Sequence, residues 1–281
     1  MGKIKKIAGT LAAAGGLYVW NLRPYTMRRD RMKAFMEQPV AHRGLFDNAT
    51  DAPENSMAAF RLAVEAGYAV ELDVQLTKDN RVVVIHDDNL QRVCGVDKRV
   101  SELTYWELQQ YTLFQSPETV PLFGDVLQVI DGKVPLVMEI KAKTSCKALC
   151  ERVAAIMDSY RGVYCMESFS PLALVWYRRH RPEILRGQLS TDFTKDTIEG
   201  NAFVHWLLQN LQFNALTKPD FVAYNIHYSD GLAMHLYREK FNGVTAGWTY
   251  RSREDWEQYG SQFDIHIFDG YHDIEKNDKN A

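Results

Sequence analysis

A chain of 281 residues with a formal net charge of −3 is long enough to bury one sizeable core, and α/β barrels reach this length as a single domain. The charge balance excludes the global basic footprint of a nucleic-acid binder, so no nucleic-acid partner is expected and an anionic ligand must be gripped by local cations. Cys94, Cys146, Cys150 and Cys165 form no C-x-x-C pair and no zinc-type spacing with histidine, and a domain of this size needs no disulfide, so reduced thiols are expected.

The N-terminus departs from the rest. Lys3, Lys5 and Lys6 precede an uncharged run from Ile7 to Leu22, which Arg23, Arg28, Arg29, Arg31 and Lys33 follow. A helix over that run rises about 24 Å, short of a hydrocarbon core of about 30 Å, although lysines can snorkel and Tyr18 or Trp20 can sit at the interface. The favoured reading is a marginal single-pass anchor, residues 1–34 with their basic juxtamembrane segment, tying the protein to the cell membrane through 7–22. A cleaved signal peptide competes, but Ala12-Ala13-Ala14 lies inside the apolar run instead of after it. A buried or surface helix is the third reading. The basic residues flanking the run are too evenly balanced to orient it, so the side of the membrane stays open.

Beyond residue 35 strand-like and helix-like segments alternate up to 274, and a polar tail, 275–281, closes the chain. Pro39 to His42 reads as a short strand, Ser56 to Ala66 as a helix stopped by Gly67, and Val70 to Leu76 as the next strand. Lys78-Asp79-Asn80 then turns the chain into the β-branched run Val82-Val83-Val84-Ile85. So short a turn cannot make a parallel crossover, so Arg81 to His86 forms an antiparallel hairpin with the strand before it. With the turn centred between Lys78 and Asp79, Glu71 is expected opposite His86. Thr104 to Tyr111, Ser145 to Tyr160, Pro171 to His180, Ala202 to Phe213 and Gly231 to Phe241 read as helices. Leu136–Ile140, Val163–Ser168, Leu185–Leu189, Phe221–Asn225, Gly243–Trp248 and Ile265–Phe268 read as strands. With the hairpin arm set aside, eight strands alternate with helices, which predicts a (β/α)₈ TIM-type barrel with a β-hairpin extension after strand 2 and one hydrophobic helix in front.

In that fold the active site lies at the carboxyl ends of the strands, where the charged motifs sit. Glu71 and Asp73 are two apart on one strand and project to one face; Glu139 ends the next barrel strand. Three carboxylates suit a hard divalent cation, Mg²⁺ or Ca²⁺, better than zinc. The plainer alternative is a set of strand-end charges paired with Lys141 and Arg43. His42 and His86 also end strands, and two imidazoles can divide the work of base and acid near neutral pH. Arg43 and Lys141 offer positive charge to a phosphoryl group. Asn55 or Ser56 can cap the helix that follows, and Phe169 and Trp248 can wall the site or simply pack in the core. The inventory points to metal-assisted cleavage of a phosphate ester.

These motifs resemble the glycerophosphodiester phosphodiesterase family. The likeness runs through Ala41-His42-Arg43-Gly44, Pro53-Glu54-Asn55-Ser56 with Phe60, Glu71-Leu72-Asp73-Val74, Leu76-Thr77-Lys78-Asp79, Val84-Ile85-His86-Asp87 and Met138-Glu139-Ile140-Lys141. It continues more weakly through Glu167-Ser168-Phe169-Ser170 and Gly247-Trp248-Thr249. Ser56 stands where the family pattern has threonine, which keeps the hydroxyl. The resemblance implies a TIM-type barrel with Glu71, Asp73 and Glu139 as divalent-metal ligands, His42 and His86 as the acid/base pair, and Arg43 and Lys141 on the phosphate. It implies hydrolysis of a small-molecule glycerophosphodiester to sn-glycerol 3-phosphate and an alcohol. Two enzymatic alternatives are a membrane-associated phospholipase of C or D type acting on lysophospholipid or phosphoinositide, and a metal-dependent sugar isomerase, which would leave Arg43 and Lys141 unexplained. A catalytically silent, membrane-tethered binding module is the non-enzymatic one.

Overall fold

In-and-out alternation along eight strands sorts the barrel into a lumen and a helix-covered exterior. The computed structural model describes residues 2–142, 146–196 and 200–270, so the polar tail expected at 275–281 lies outside the described residues. The strands are β1 (Val40–Ala41), β2 (Ala69–Leu76), β3 (Val82–Val84), β4 (Leu136–Ile140), β5 (Tyr164–Ser168), β6 (Leu185–Ser190), β7 (Phe221–Asn225), β8 (Val244–Tyr250) and β9 (Ile265–Phe268). All but β3 pair in parallel, and β1 closes the barrel by pairing with both β2 and β9. The longer helices are α1 (Gly2–Asn21), α2 (Met57–Ala66), α3 (Phe123–Ile130), α4 (Cys146–Met157), α5 (Pro171–His180), α6 (Ala202–Gln209) and α7 (Arg253–Tyr259). The (β/α)₈ expectation therefore holds.

One set of alternate positions, Val40, Ala69, Val137, Cys165, Leu185, Phe221, Val244 and Ile265, fills the lumen. The other set, among them Val70, Leu72, Met138 and Val222, packs outward under the helices. This is the period of two that a strand imposes. Gly187 shows how tight the lumen is: a Cβ there would come within 2.2 Å of the Phe221 ring. Met32 and Phe35, both fully buried, join the same cluster. The basic segment after α1 is tied to the barrel as well, Arg28 to Asp220 and Arg29 to Asp264.

Two expectations shift in detail. The hairpin turns through three residues, Lys78-Asp79-Asn80, with Thr77 and Arg81 closing it and Asn80 at φ +60°. A left-handed residue at the end of a three-residue loop is a favoured hairpin geometry and places the centre on Asp79. The ladder then pairs Val74 with Val84, and Ile85 N–H donates to the Asp73 carbonyl. Glu71 is therefore not opposite His86; the register is one residue away. Thr104 to Tyr111 shrinks to a short helix, Tyr105–Leu108, within a segment between β3 and α3 that has its own small core around Val93, Leu103 and Leu113.

Helix α1 forms where the apolar run predicts a helix, and its last turn docks on the barrel through Tyr18 Oη to Asn210 and Asn21 to Gln212. No helix among the described residues is long and apolar enough to cross a membrane. The run is rich in Ala and Gly, which contribute little apolar area.

Candidate active site

The lumen positions that are apolar deeper in the barrel become acidic at its carboxyl end. Ala69 leads to Glu71 and Asp73, Val137 to Glu139, Cys165 to Glu167, and Ile267 to Asp269. Each step is two residues, so the strand pleat alone delivers these side chains to one mouth. A cavity of about 750 Å³ opens there, lined by His42, Arg43, Glu71, His86, Glu139 and Lys141. Phe169 and Trp248 form an adjoining wall, their rings edge to face at 5.9 Å. The structure thus gathers every residue singled out in the sequence; Asp73, fully buried, lies among them without lining the cavity.

The segment after β1 is bent for this purpose. Arg43 (φ +57°) and Gly44 (φ +81°) are both left-handed, and a Cβ on Gly44 would meet the Ala59 backbone at 2.9 Å. The bend aims the Arg43 N–H at Glu71 Oε2, 3.0 Å away, while Arg43 Nη1 reaches Glu54 at 2.7 Å and Nε lies 3.5 Å from Asp73. Asn55, itself left-handed, donates from Nδ2 to Asp73 at 2.9 Å. Capping of α2 falls to Ser56, whose Oγ accepts from the Ala59 N–H. The Pro53-Glu54-Asn55-Ser56 motif therefore splits its work between the helix start and the site.

Glu71, Asp73 and Glu139 each offer an oxygen within 4.8 Å of the others. Burial, then the charges of Asp73 and Glu167, push Glu71 far above the carboxylate range. Glu139 rises to about 7 through burial, against the pull of Lys141. Burial also acts on Asp73, but Lys141, His86 and Arg43 outweigh it and hold that carboxyl low. Lys141 Nζ sits 3.0 Å from Glu139 and 3.4 Å from Asp73, so the pairing alternative is realised in part. It is incomplete: Glu167 Oε2 is buried without a hydrogen-bond partner, and Asp73 Oδ1 has only the Lys141 ion pair, which is not a hydrogen bond. Four buried carboxyls around two cations are a costly arrangement that a hard divalent cation would complete with oxygen ligands alone. The residues fit such an ion.

Each histidine is held by its Nδ1. His42 Nδ1 lies 2.5 Å from Asp269 Oδ1, and Asp269 Oδ2 accepts from Arg251 Nε at 2.7 Å. His86 Nδ1 lies 2.6 Å from Asp87 Oδ1, and Asp87 Oδ2 accepts from Arg92 Nε at 2.7 Å. Arg92 also forks onto Glu54, linking this histidine to Arg43. Burial and the charge of Lys141 pull His86 down to about 4, against the raising effect of Asp73 and Asp87. Asp269, Arg251, Arg92 and Glu167 were not among the expected site residues. Strand parity could have found Glu167 and Asp269, two positions past Cys165 and Ile267; the two arginines have no local signal.

Residues 42–262 match the family model described as glycerophosphoryl diester phosphodiesterase family. Among curated proteins the chain is 32% identical over 150 residues to the human lysophospholipase D GDPD1, covering 49% of this chain and 46% of that protein. It is 37% identical over 117 residues to a glycerophosphodiester phosphodiesterase of Bacillus altitudinis, covering 39% of this chain and 46% of that one. The chain thus spans about half the length of the curated relatives it matches. A phosphodiesterase of Oleispira antarctica, solved in complex with the product sn-glycerol-3-phosphate, superposes with a TM-score of 0.68 at 22% identity, over 84% of this chain and 94% of that one. A glycerophosphodiester phosphodiesterase from Thermotoga maritima superposes with a TM-score of 0.62 at 23% identity, over 82% and 93%. These two likenesses show the fold, and the match over most of the barrel shows the lineage: the chain belongs to the glycerophosphoryl diester phosphodiesterase family.

Proposed function

We propose that the protein hydrolyses glycerophosphodiesters to sn-glycerol 3-phosphate and an alcohol, with His42 and His86 as the acid/base pair. The observation that carries this reading is the pair of imidazoles, each locked at Nδ1 to a carboxylate, at the rim of one acid cluster. Locking Nδ1 fixes the ring and directs Nε2 to the substrate. His86, kept low by burial and Lys141, is unprotonated at neutral pH and takes the proton of the attacking hydroxyl, from water or from the substrate's own glycerol. His42, with Nδ1 on the Asp269 carboxylate and Nε2 3.8 Å from Glu71, gives its proton to the alcohol oxygen as the P–O bond breaks. Arg43 and Lys141 hold the non-bridging phosphate oxygens. Glu71, Asp73 and Glu139 would hold a divalent cation, Mg²⁺ or Ca²⁺, whose chemistry when bound is Lewis-acid polarisation of the phosphate.

The test is release of sn-glycerol 3-phosphate from glycerophosphocholine and glycerophosphoethanolamine, with and without EDTA. The histidine roles are read with a nitrophenyl ester of glycerol phosphate, whose leaving group needs no proton. His42→Ala should recover most of its activity on that ester, whereas His86→Ala should not. Equal defects on both substrates would remove the assignment.

A second reading, hydrolysis of lysophospholipid, is favoured by the apolar arm of the same cavity, where Phe169, Leu189, Phe193, Leu208 and Trp248 leave room for a hydrocarbon tail. The likeness to human lysophospholipase D GDPD1 points the same way. Choline release from lysophosphatidylcholine, compared with glycerophosphocholine, separates the two.

A further inference from the structure

Helix α6 has two apolar sides. Its inner side serves the cavity: Leu208 lines it, and His205 stacks at 4.7 Å on Phe193, another lining residue. Its outer side carries Phe203, Val204 and Trp206, exposed by 66%, 41% and 47%. Phe203 and Trp206 lie one helical turn apart with their rings parallel to within 9°, so they form one platform. That platform meets α1, because Tyr18 packs against Trp206 with ring centroids 6.3 Å apart. From Gly9 to Leu17 the helix α1 is exposed on every side and carries no charge, with Leu11 and Leu17 more than half exposed. A helix that is apolar all round is not left in water.

Charge selects what covers it. The chain is acidic overall, yet its first acidic residue is Asp30, and none occurs between Asn201 and Pro219. The charged residues of the two segments that build the patch are therefore all basic. Lys218 lies over the Trp20 ring at 5.4 Å, Arg23 is exposed beside it in sequence, and Lys3, Lys5 and Lys6 precede the apolar stretch. Aromatic rings flanked by lysine and arginine match the interface of an anionic lipid bilayer.

We infer that α1 and the outer face of α6 together form a docking surface for an anionic lipid membrane, with α6 as the shared wall between that surface and the apolar arm of the cavity. The reading is independent of the reaction. Residues on α6 hold the barrel against the lipid, and α1 alone does not account for the contact.

The test is co-sedimentation of the full chain with phosphatidylcholine vesicles, with and without phosphatidylglycerol. Binding should rise with phosphatidylglycerol and fall with added salt. Phe203→Ser combined with Trp206→Ser should lower the partition coefficient by about tenfold, equivalent to about 1.4 kcal/mol, while hydrolysis of a water-soluble glycerophosphodiester is unchanged. Phe203→Asp, at a more exposed position, carries the comparison if the double variant fails to fold. Wild-type protein left in the supernatant would overturn the inference, as would variants that bind as tightly as wild type. So would a dimer, seen by sedimentation velocity and broken by the same variants, in a protein that ignores vesicles. Because vesicle binding is read without turnover, an inactive enzyme that still binds lipid would leave this inference standing and remove only the proposed reaction.

Discussion

His42 Nδ1 and Asp269 Oδ1 lie 2.5 Å apart across the seam where β9 meets β1, and Arg251 fixes the other oxygen of that carboxylate. Burial favours protonation of Asp269, but the charge of His42 and its hydrogen bond, with Arg251 behind, hold the carboxyl well below the usual range. In the proposed reaction Asp269 is a positioning residue that sets the tautomer of His42. Asp269→Asn should therefore keep KM within a few-fold and lower kcat by about 10²–10⁴-fold. The loss should shrink on the nitrophenyl ester, whose leaving group needs no proton, which a purely structural defect would not show. Unchanged kcat would remove the role.

The acid cluster predicts opposite effects on stability and activity. Glu71 is pushed up by burial and by three neighbouring carboxyls, so bringing it into the folded site costs stability at neutral pH. Glu71→Gln keeps an oxygen that can accept the Arg43 N–H and removes that cost. In EDTA the variant should melt a few degrees above wild type; for a protein of this size about 1 kcal/mol corresponds to roughly 2–4 °C. Added Mg²⁺ or Ca²⁺ should raise the Tm of the wild type and leave the variant unmoved. Its activity should fall by at least about 10²-fold. A metal-dependent Tm in the variant equal to that of wild type would show that Glu71 is not a ligand.

Glu54 gives the acid side of the stability profile. Burial pushes its carboxyl up, but the hydrogen bonds from Arg92 and the charge of Arg43 carry it down to about 2 from an ordinary 4.5. For a carboxylate depressed on folding, the stabilisation is whole above the ordinary value and is lost as pH falls through the folded one. Between pH 4.5 and 2 the Tm of wild type should therefore fall more steeply than that of Glu54→Gln. At pH 7 the variant should be the less stable, because Arg43 and Arg92 lose a shared partner. Parallel curves across the acid range would contradict the linkage.

The sequence made the barrel and the central acids legible for one physical reason: a parallel strand repeats every two residues, so apolar positions below and charged positions above fall on the same face. Glu71, Asp73 and Glu139 followed directly. The hairpin register did not, because two-residue and three-residue turns differ by one step, and Asn80 in a left-handed conformation decides between them. Asp269 is harder to see than Glu167, because the β-like run stops at Phe268, one residue before the next lumen position. Arg92 and Arg251 were beyond reach for another reason. Arg92 meets Glu54 38 residues away and Asp87 only five away, and Arg251 meets Asp269 18 away; none of these spacings is a strand or helix period. The apolar run of α1 and the exposed aromatics of α6 are far apart in sequence and meet only in the folded chain, where Tyr18 packs on Trp206.

The lumen offers a prediction that leaves the chemistry alone. Gly187 and Phe221 face each other across neighbouring strands, and the space a methyl group would need at Gly187 is taken by the Phe221 ring, 2.2 Å away. Phe221 is 1% exposed and surrounded by the lumen cluster, so the ring cannot swing into solvent. Gly187→Ala should cost about 1–3 kcal/mol through overpacking, read as a lower midpoint in urea with the slope unchanged. Phe221→Leu in the same chain should recover part of that loss, because the smaller side chain vacates the place the methyl needs. By itself Phe221→Leu should be destabilising, so the two substitutions should be non-additive in the favourable direction. Additive losses would mean that the ring and the new methyl do not compete, and that the lumen yields elsewhere.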